Sequence, residues 1–425
     1  MPAEALAGEG ARLTVLDGCD PVQLADALEH DLAGAVLVVS APPGTDTTAV
    51  ELVWDALDQA FRAEGLDPAA HTVLVARADS PLVARAGGAP VVPGPATLPV
   101  PDLPEPGATS QVLHSLRGGG NVCAVGAWAA LTPYALVPAG LAGADVGALL
   151  RAALPHPLPA TNGTSGAPAG TTVPFVAGAV ELADRLRGAT GHLALTGPLA
   201  ESLAQLLAVL DHLQPLVVEQ PGAPGWDDAV LTAGDPDADE RADAPPAAEL
   251  LRWQHAVADL LDRPGLPPGR TLFPPSPVPG EGGTALVAGE IEITAAWPSA
   301  DVRDALARLV DGAGSLAVHA HLDRHDDASA ALLRTELCAG TGLVTAFGWA
   351  GRALPVARIA LPGARAVLQI SGAGPHGPAA AQQRAEADRQ AVAMECAGVR
   401  VLRLHLRDRL IGLVELVRAV QDLPN

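Results

Sequence analysis

Short runs rich in β-branched residues alternate along this chain with stretches of helical periodicity. AVLVVS (35–40) is apolar almost throughout, which predicts a strand buried on both faces inside a parallel sheet. TTAVELVWDALDQAFRAEG (47–65) follows with helical spacing and ends near Gly65, and HTVLVAR (71–77) is the next strand. Upstream, ARLTVLD (11–17) reads as a strand. DPVQLADALEHDL (20–32) reads as a helix, with Val22, Leu24, Ala25, Leu28 and Leu32 on its apolar side. Strand, helix, strand, helix, strand at this spacing predicts a right-handed doubly wound α/β layer.

The second half repeats the theme. Strands are expected at 191–197, 215–220, 315–322, 364–371 and 399–406, and helices at 198–214, 247–262, 300–312, 328–342, 379–397 and 410–423. Residues 87–110 are too rich in proline for a regular element and read as an extended connection; 227–246 reads as an acidic surface connection and 263–283 as a Pro-rich loop. The Pro/Gly/Ser/Thr stretch PHPLPATNGTSGAPAGTT (155–172) marks the domain boundary. The expected fold is α/β: two doubly wound, three-layer α/β/α domains with mainly parallel sheets, at 1–160 and 161–425.

Charge narrows the partners. The net charge is −22, spread along the chain, which argues against nucleic acid and against anionic membrane surfaces. All 26 basic residues are arginine, so mechanisms that need an ammonium group or a Schiff base are excluded. The four cysteines, Cys19, Cys123, Cys338 and Cys396, form no CxxC pair and read as isolated thiols. GAWAALTPYALVPAGLAGADV (126–146) has the length of a membrane span, but Pro133, Pro138, Gly140 and Gly143 divide it, which favours a buried helix. No cationic and apolar leader opens the chain, so a cytoplasmic location is expected.

Four stretches have the residue types of a site. VVSAPPGTDTTA (38–49) leads from a strand into a helix N-terminus, where Ser40, Gly44, Thr45, Thr47 and Thr48 are candidate phosphate donors. Its plain alternative is a strand–turn–helix with a Thr or Asp cap. HAHLDRHDD (319–327) alternates His319, His321, Asp323, His325 and Asp327, which a strand would place on one face. No Glu or Cys follows at a ligand spacing, so no metal is assigned. In SGAGPHGPAA (371–380), Gly372, Gly374 and Gly377 mimic a dinucleotide fingerprint, but Pro375 interrupts it and no cofactor is assigned. A Ser/His/Asp triad has no GxSxG elbow to support it.

The order of segments resembles glucose-6-phosphate isomerase in its short actinobacterial form, built of two sugar-isomerase (SIS) domains. The resemblance runs through LTVLDGCDPVQLADAL (13–28), VLVVSAPPGTDTTAVE (36–51), HTVLVARADSPL (71–82), ALTPYALVPAGLAGADVGALL (130–150), VTAFGWAGR (344–352), AVLQISGAG (366–374) and VRVLRLHLRDR (399–409). It implies aldose–ketose isomerisation of a sugar phosphate, yet the family's site motifs are altered here. Against the phosphate loop SKSGST stand Ala41, Pro42, Pro43, Gly44, Thr45 and Asp46. Ala127 stands where the motif GGR(F/Y)S has its arginine, and Ala208–Val209 where AEST has its glutamate base. The family's histidine and His-Lys pair would fall between Arg352 and Gln369, where ALPVARIALPG has neither residue type.

The resemblance therefore implies a sugar-phosphate-binding or partner-binding pseudoenzyme. The alternative is a working isomerase that interconverts glucose 6-phosphate and fructose 6-phosphate with replacement groups, for which Glu201, Glu219, Glu281, His212 and His255 are the candidates. Relative to the family, the first strand and its glycine loop are missing from the N-terminal domain. An exposed sheet edge there predicts a homodimer or a heteromer with an active paralogue.

Overall fold

The computed structural model describes residues 13–16, 18–42, 47–96, 129–153, 179–188, 191–195, 200–207, 213–217, 229–233, 246–262, 284–349, 364–375, 377–396 and 398–423. The chain is an α/β protein, and its described strands form three sheets.

The first sheet holds β1 (Leu37–Ala41), β2 (Thr72–Ala76) and β3 (Val91–Pro93), all parallel. Helix α1 (Pro21–Glu29) starts at Asp20, whose carboxylate accepts from the amides of Val22 and Gln23, and Pro21 supplies a preset φ at the first helical position. Helix α2 (Thr47–Ala63) crosses from β1 to β2, burying Trp54, Leu57 and Phe61. A short helix α3 (Pro81–Arg85) precedes β3.

Helices α4 (Pro133–Leu141), α5 (Val146–Ala153) and α6 (Ala179–Gly188) lead to a second parallel sheet. Its strands β4 (Gly191–Leu195), β5 (Leu213–Val217) and β6 (Ala229–Ala233) lie in the order β5-β4-β6, with α7 (Ala200–Leu207) between β4 and β5 and α8 (Pro246–Asp262) after β6. One core joins these two regions. Val75, Ala129, Ala130 and Tyr134 pack with Leu182, Leu186, Leu193, Leu203, Trp253 and Leu260. Buried apolar packing thus crosses the expected 160/161 boundary, while the stretch 155–172 lies outside the described residues.

The third sheet is the largest, in the order β10-β9-β11-β12-β8-β7. A hairpin of β7 (Thr284–Ala288) and β8 (Ile291–Ala295) turns at Gly289–Glu290, where Gly289 has φ 59° as the first position of a II′-type turn requires. Four parallel strands complete the sheet: β9 (Ala313–His321), β10 (Val344–Trp349), β11 (Ala364–Gly372) and β12 (Arg400–Leu406). Helices α9 (Val302–Val310), α10 (Leu333–Thr341) and α12 (Arg409–Gln421) cover one face through Leu306, Leu333, Leu337, Leu413 and Leu416. Helix α11 (Gly377–Cys396) covers the other, through Ala391 and Met394 on Ala317, Val367 and Val401. It also meets α1 and α2, with Ala379 among Cys19, Leu24, Ala49 and Leu52. The strand order reverses between β9 and β11, the topological switch point at which doubly wound sheets bind ligands beyond their C-terminal strand ends.

Several expectations are corrected. Val91–Pro93, within the supposed Pro-rich connection, is an edge strand; its terminal proline lacks only an N–H that an edge does not require. Ala229–Ala233, expected in a surface connection, pairs with β4. Leu13 and Leu16 pack against the core, but residues 13–16 join no strand. The run His319–Asp327 is not one strand face: β9 stops at His321, and Asp323 opens a turn by accepting from the amides of His325 and Asp326. In the stretch 126–146, α4 is a nine-residue helix with Pro138 inside it, and no described helix is long and apolar enough to cross a membrane.

Candidate functional site

Strand register gathers polar side chains at the C-terminal ends of the third sheet. Residues paired across a sheet share a face, and two consecutive rows on the α11 side are polar. One row runs Gly348–His319–Gln369–Arg403–Thr294 and the next His321–Ser371–His405–Glu292. The opposite face of the same strands presents Leu316, Val318, Leu368, Ile370, Leu402 and Leu404 to the apolar core.

Helix α11 satisfies most of this layer. Gln369 donates to the Ala387 carbonyl at 2.9 Å, and its amide nitrogen lies 3.2 Å from His321 Nε2. Arg403 pairs with Asp388 at 3.1 Å, and Arg384 with Glu292 at 3.0 Å. Ser371 Oγ lies 3.0 Å from His405 Nδ1. His319, 5% exposed, is different: neither ring nitrogen has a hydrogen-bond partner among the described residues.

A buried ionic knot closes the row ends. Arg409, first residue of α12, grips Asp20 with both terminal nitrogens, at 3.3 Å to Oδ1 and 2.9 Å to Oδ2. It reaches Asp327 at 2.8 Å and the Ala373 carbonyl at 2.6 Å. Gln383 of α11 adds a 2.7 Å bond to Asp20. With the amides of Val22 and Gln23, the Asp20 carboxylate accepts five hydrogen bonds. Two glycines of SGAGPHG, Gly372 and Gly374, serve this contact. A Cβ on Gly372 would stand 2.7 Å from Arg409, and one on Gly374 would stand 2.3 Å from Pro21.

Electrostatics follow burial. Desolvation pushes His319 down to about 3, with the neighbouring His321 adding to the shift. His321 falls to about 4 by burial, although the Asp20 charge and Gln390 oppose the change. Both rings are therefore uncharged at neutral pH. Burial raises the Asp327 carboxyl above its ordinary range despite the Arg409 guanidinium beside it. His405 is lowered, first by burial and then by Arg384. One guanidinium faces two carboxylates in the knot, which leaves an excess of negative charge.

The candidates taken from sequence are placed as follows. Ser40 donates to the Tyr134 carbonyl at 2.7 Å, which commits its proton to α4. Thr47 and Thr48 open α2, while Gly44 and Thr45 lie outside the described residues, as do Glu219, Glu281 and His212. The backbone of Glu201 lies in the first turn of α7; its side chain is outside the described set. His255 is half-buried on α8, with its pKa lowered by burial. Among the described residues no group of three or more His, Cys, Asp or Glu is placed to hold a metal ion. The Cys19 thiol lies 3.7 Å from the Ala49 carbonyl, and the adjacent Asp20 acts electrostatically on His321.

Sequence reading passed over Asp20, Gln369, Gln383 and Arg409. Asp20 before Pro21 is a legible helix cap, but nothing local signals that its partner lies 389 residues away.

No protein-family model and no curated protein matches the chain. Among solved structures it is similar to a hypothetical protein from Thermus thermophilus, at 15% identity and a TM-score of 0.27, over 99% of this chain and 72% of that one.

Proposed function

We propose that the chain binds a sugar phosphate on a scaffold of the glucose-6-phosphate isomerase type without isomerising it. The observation that carries this reading is the buried polar row of His319, His321 and Gln369 at the β9/β11 switch point, with Asp20, whose charge acts on His321, following Cys19 at the start of α2. A neutral imidazole such as His319 suits a hydroxyl group, and a helix N-terminus suits a phosphate. Isomerisation further needs a carboxylate free to take a proton from carbon and an electrophile at the developing enediolate. Here Asp20 is saturated by five donors and Asp327 is tied to Arg409, so neither is free to act as that base. We read the protein as cytoplasmic.

A coupled assay following NADP⁺ reduction from fructose 6-phosphate is expected to show no turnover, while 6-phosphogluconate raises the melting temperature. Turnover abolished by a single Glu→Gln change at Glu201, Glu219 or Glu281 would establish the working isomerase instead.

The edge strand β1 carries the proposed self-association or pairing with an active paralogue. Light scattering after size exclusion is expected to give a dimer mass for the isolated chain; a monodisperse monomer at high concentration leaves only the paralogue.

A further inference from the structure

His319 sits in the row between Gly348 and Gln369, on the face that α11 covers and at the switch point of the sheet. Its neighbour His321 is held by Gln369 and Gln390, and Gln369 in turn by the Ala387 carbonyl. Of this trio only His319 has both ring nitrogens without a partner among the described residues, at 5% exposure. An unmet polar group in the interior costs about 1–3 kcal/mol, and native interiors hold few of them. An aliphatic side chain would extend the Ala317–Val367 packing beside it at no such cost.

The chemistry of the missing partner is readable. A neutral imidazole offers one N–H donor and one bare nitrogen, the complement of a hydroxyl, which both accepts and donates. Among the charged groups near the His319–His321 end of the sheet are Asp20 and Asp327, both held by Arg409. Resting on the sugar-phosphate reading above, we propose that His319 is the buried anchor for one sugar hydroxyl, the phosphate lying toward the start of α2.

Calorimetric titration of 6-phosphogluconate and glucose 6-phosphate into wild type, His319→Leu and His319→Gln tests the assignment. Wild type is expected to bind. His319→Leu is expected to bind about 10-fold or more weakly, from the loss of a buried hydrogen-bonding pair. Without ligand it should melt above wild type, because the unmet polar atoms are gone. His319→Gln keeps a donor and an acceptor and is expected to recover much of the affinity; it also serves as the test if the leucine variant folds poorly. Equal affinity in wild type and both variants overturns the anchor while leaving sugar-phosphate binding in place. Wild type that binds neither probe overturns the sugar-phosphate reading and the anchor with it.

Discussion

Arg409→Ala is expected to lower the free energy of unfolding by about 3–5 kcal/mol, the range for breaking a buried ion pair from one side. The loss is large because two carboxylates depend on this guanidinium. The Arg409 and Asp20 side chains are 9% and 8% exposed, and the Asp327 side chain 8%. Without Arg409, both acids stay in a low-dielectric site with their charges uncompensated. The contact also holds α1 against the loop after β11, through Gly372 and Gly374, so local order around Pro21 should fall as well. Urea denaturation followed by circular dichroism measures the change. The control is Arg409→Met combined with Asp20→Asn and Asp327→Asn, which removes all three charges and keeps a capping side chain on α1. It should regain most of the lost stability, since the penalty lies in the orphaned charges more than in the pair itself. A drop below about 1 kcal/mol for Arg409→Ala, within the range of exposed ion pairs, would show that the knot is not closed in solution.

Acid is expected to unfold this protein from below about pH 6.5. His319 and His321 bind protons in the folded state only near 3 and 4, against 6.5 for a free histidine. The unfolded chain therefore gains protons that the folded chain refuses. Stability is fully present above pH 6.5 and falls, as pH drops, by about 1.4 kcal/mol per unit for each histidine. The decline from each levels off as its folded value is reached. His255 and His405, half-buried and also lowered, titrate in the same sense with smaller effect. Asp327 works the other way: its carboxyl is raised in the folded state, so protonating it favours folding at the acid end. Unfolding free energies between pH 7.5 and 4.5 give the slope, and His319→Leu should remove one histidine's share of it. A slope unchanged by that substitution would mean that His319 is not held neutral by burial.

The alternation of β-branched runs and amphipathic helices was enough to read the α/β class, because a continuous apolar run flanked by helices has few other ways to bury both faces. Asp20–Pro21 could have marked the start of α1, and Gly289 the β7–β8 hairpin. Strands such as Ala229–Ala233 were not legible: five residues, AVLTA, in an acidic stretch are too few to show a period, and only pairing with β4 makes them a strand. The site was harder still. HAHLDRHDD drew notice as possible metal ligands, but the strand ends at His321 and Asp323 and Asp327 turn away to cap and to pair with Arg409.

From sequence alone came the layer type and the lysine-free chemistry, which depend on local spacing and on composition. Only the tertiary structure joined Asp20 to Arg409 and set His319 in the interior without a partner among the described residues. A contact 389 residues apart leaves no periodic trace, and whether a histidine is satisfied depends on which strand and helix come to lie beside it.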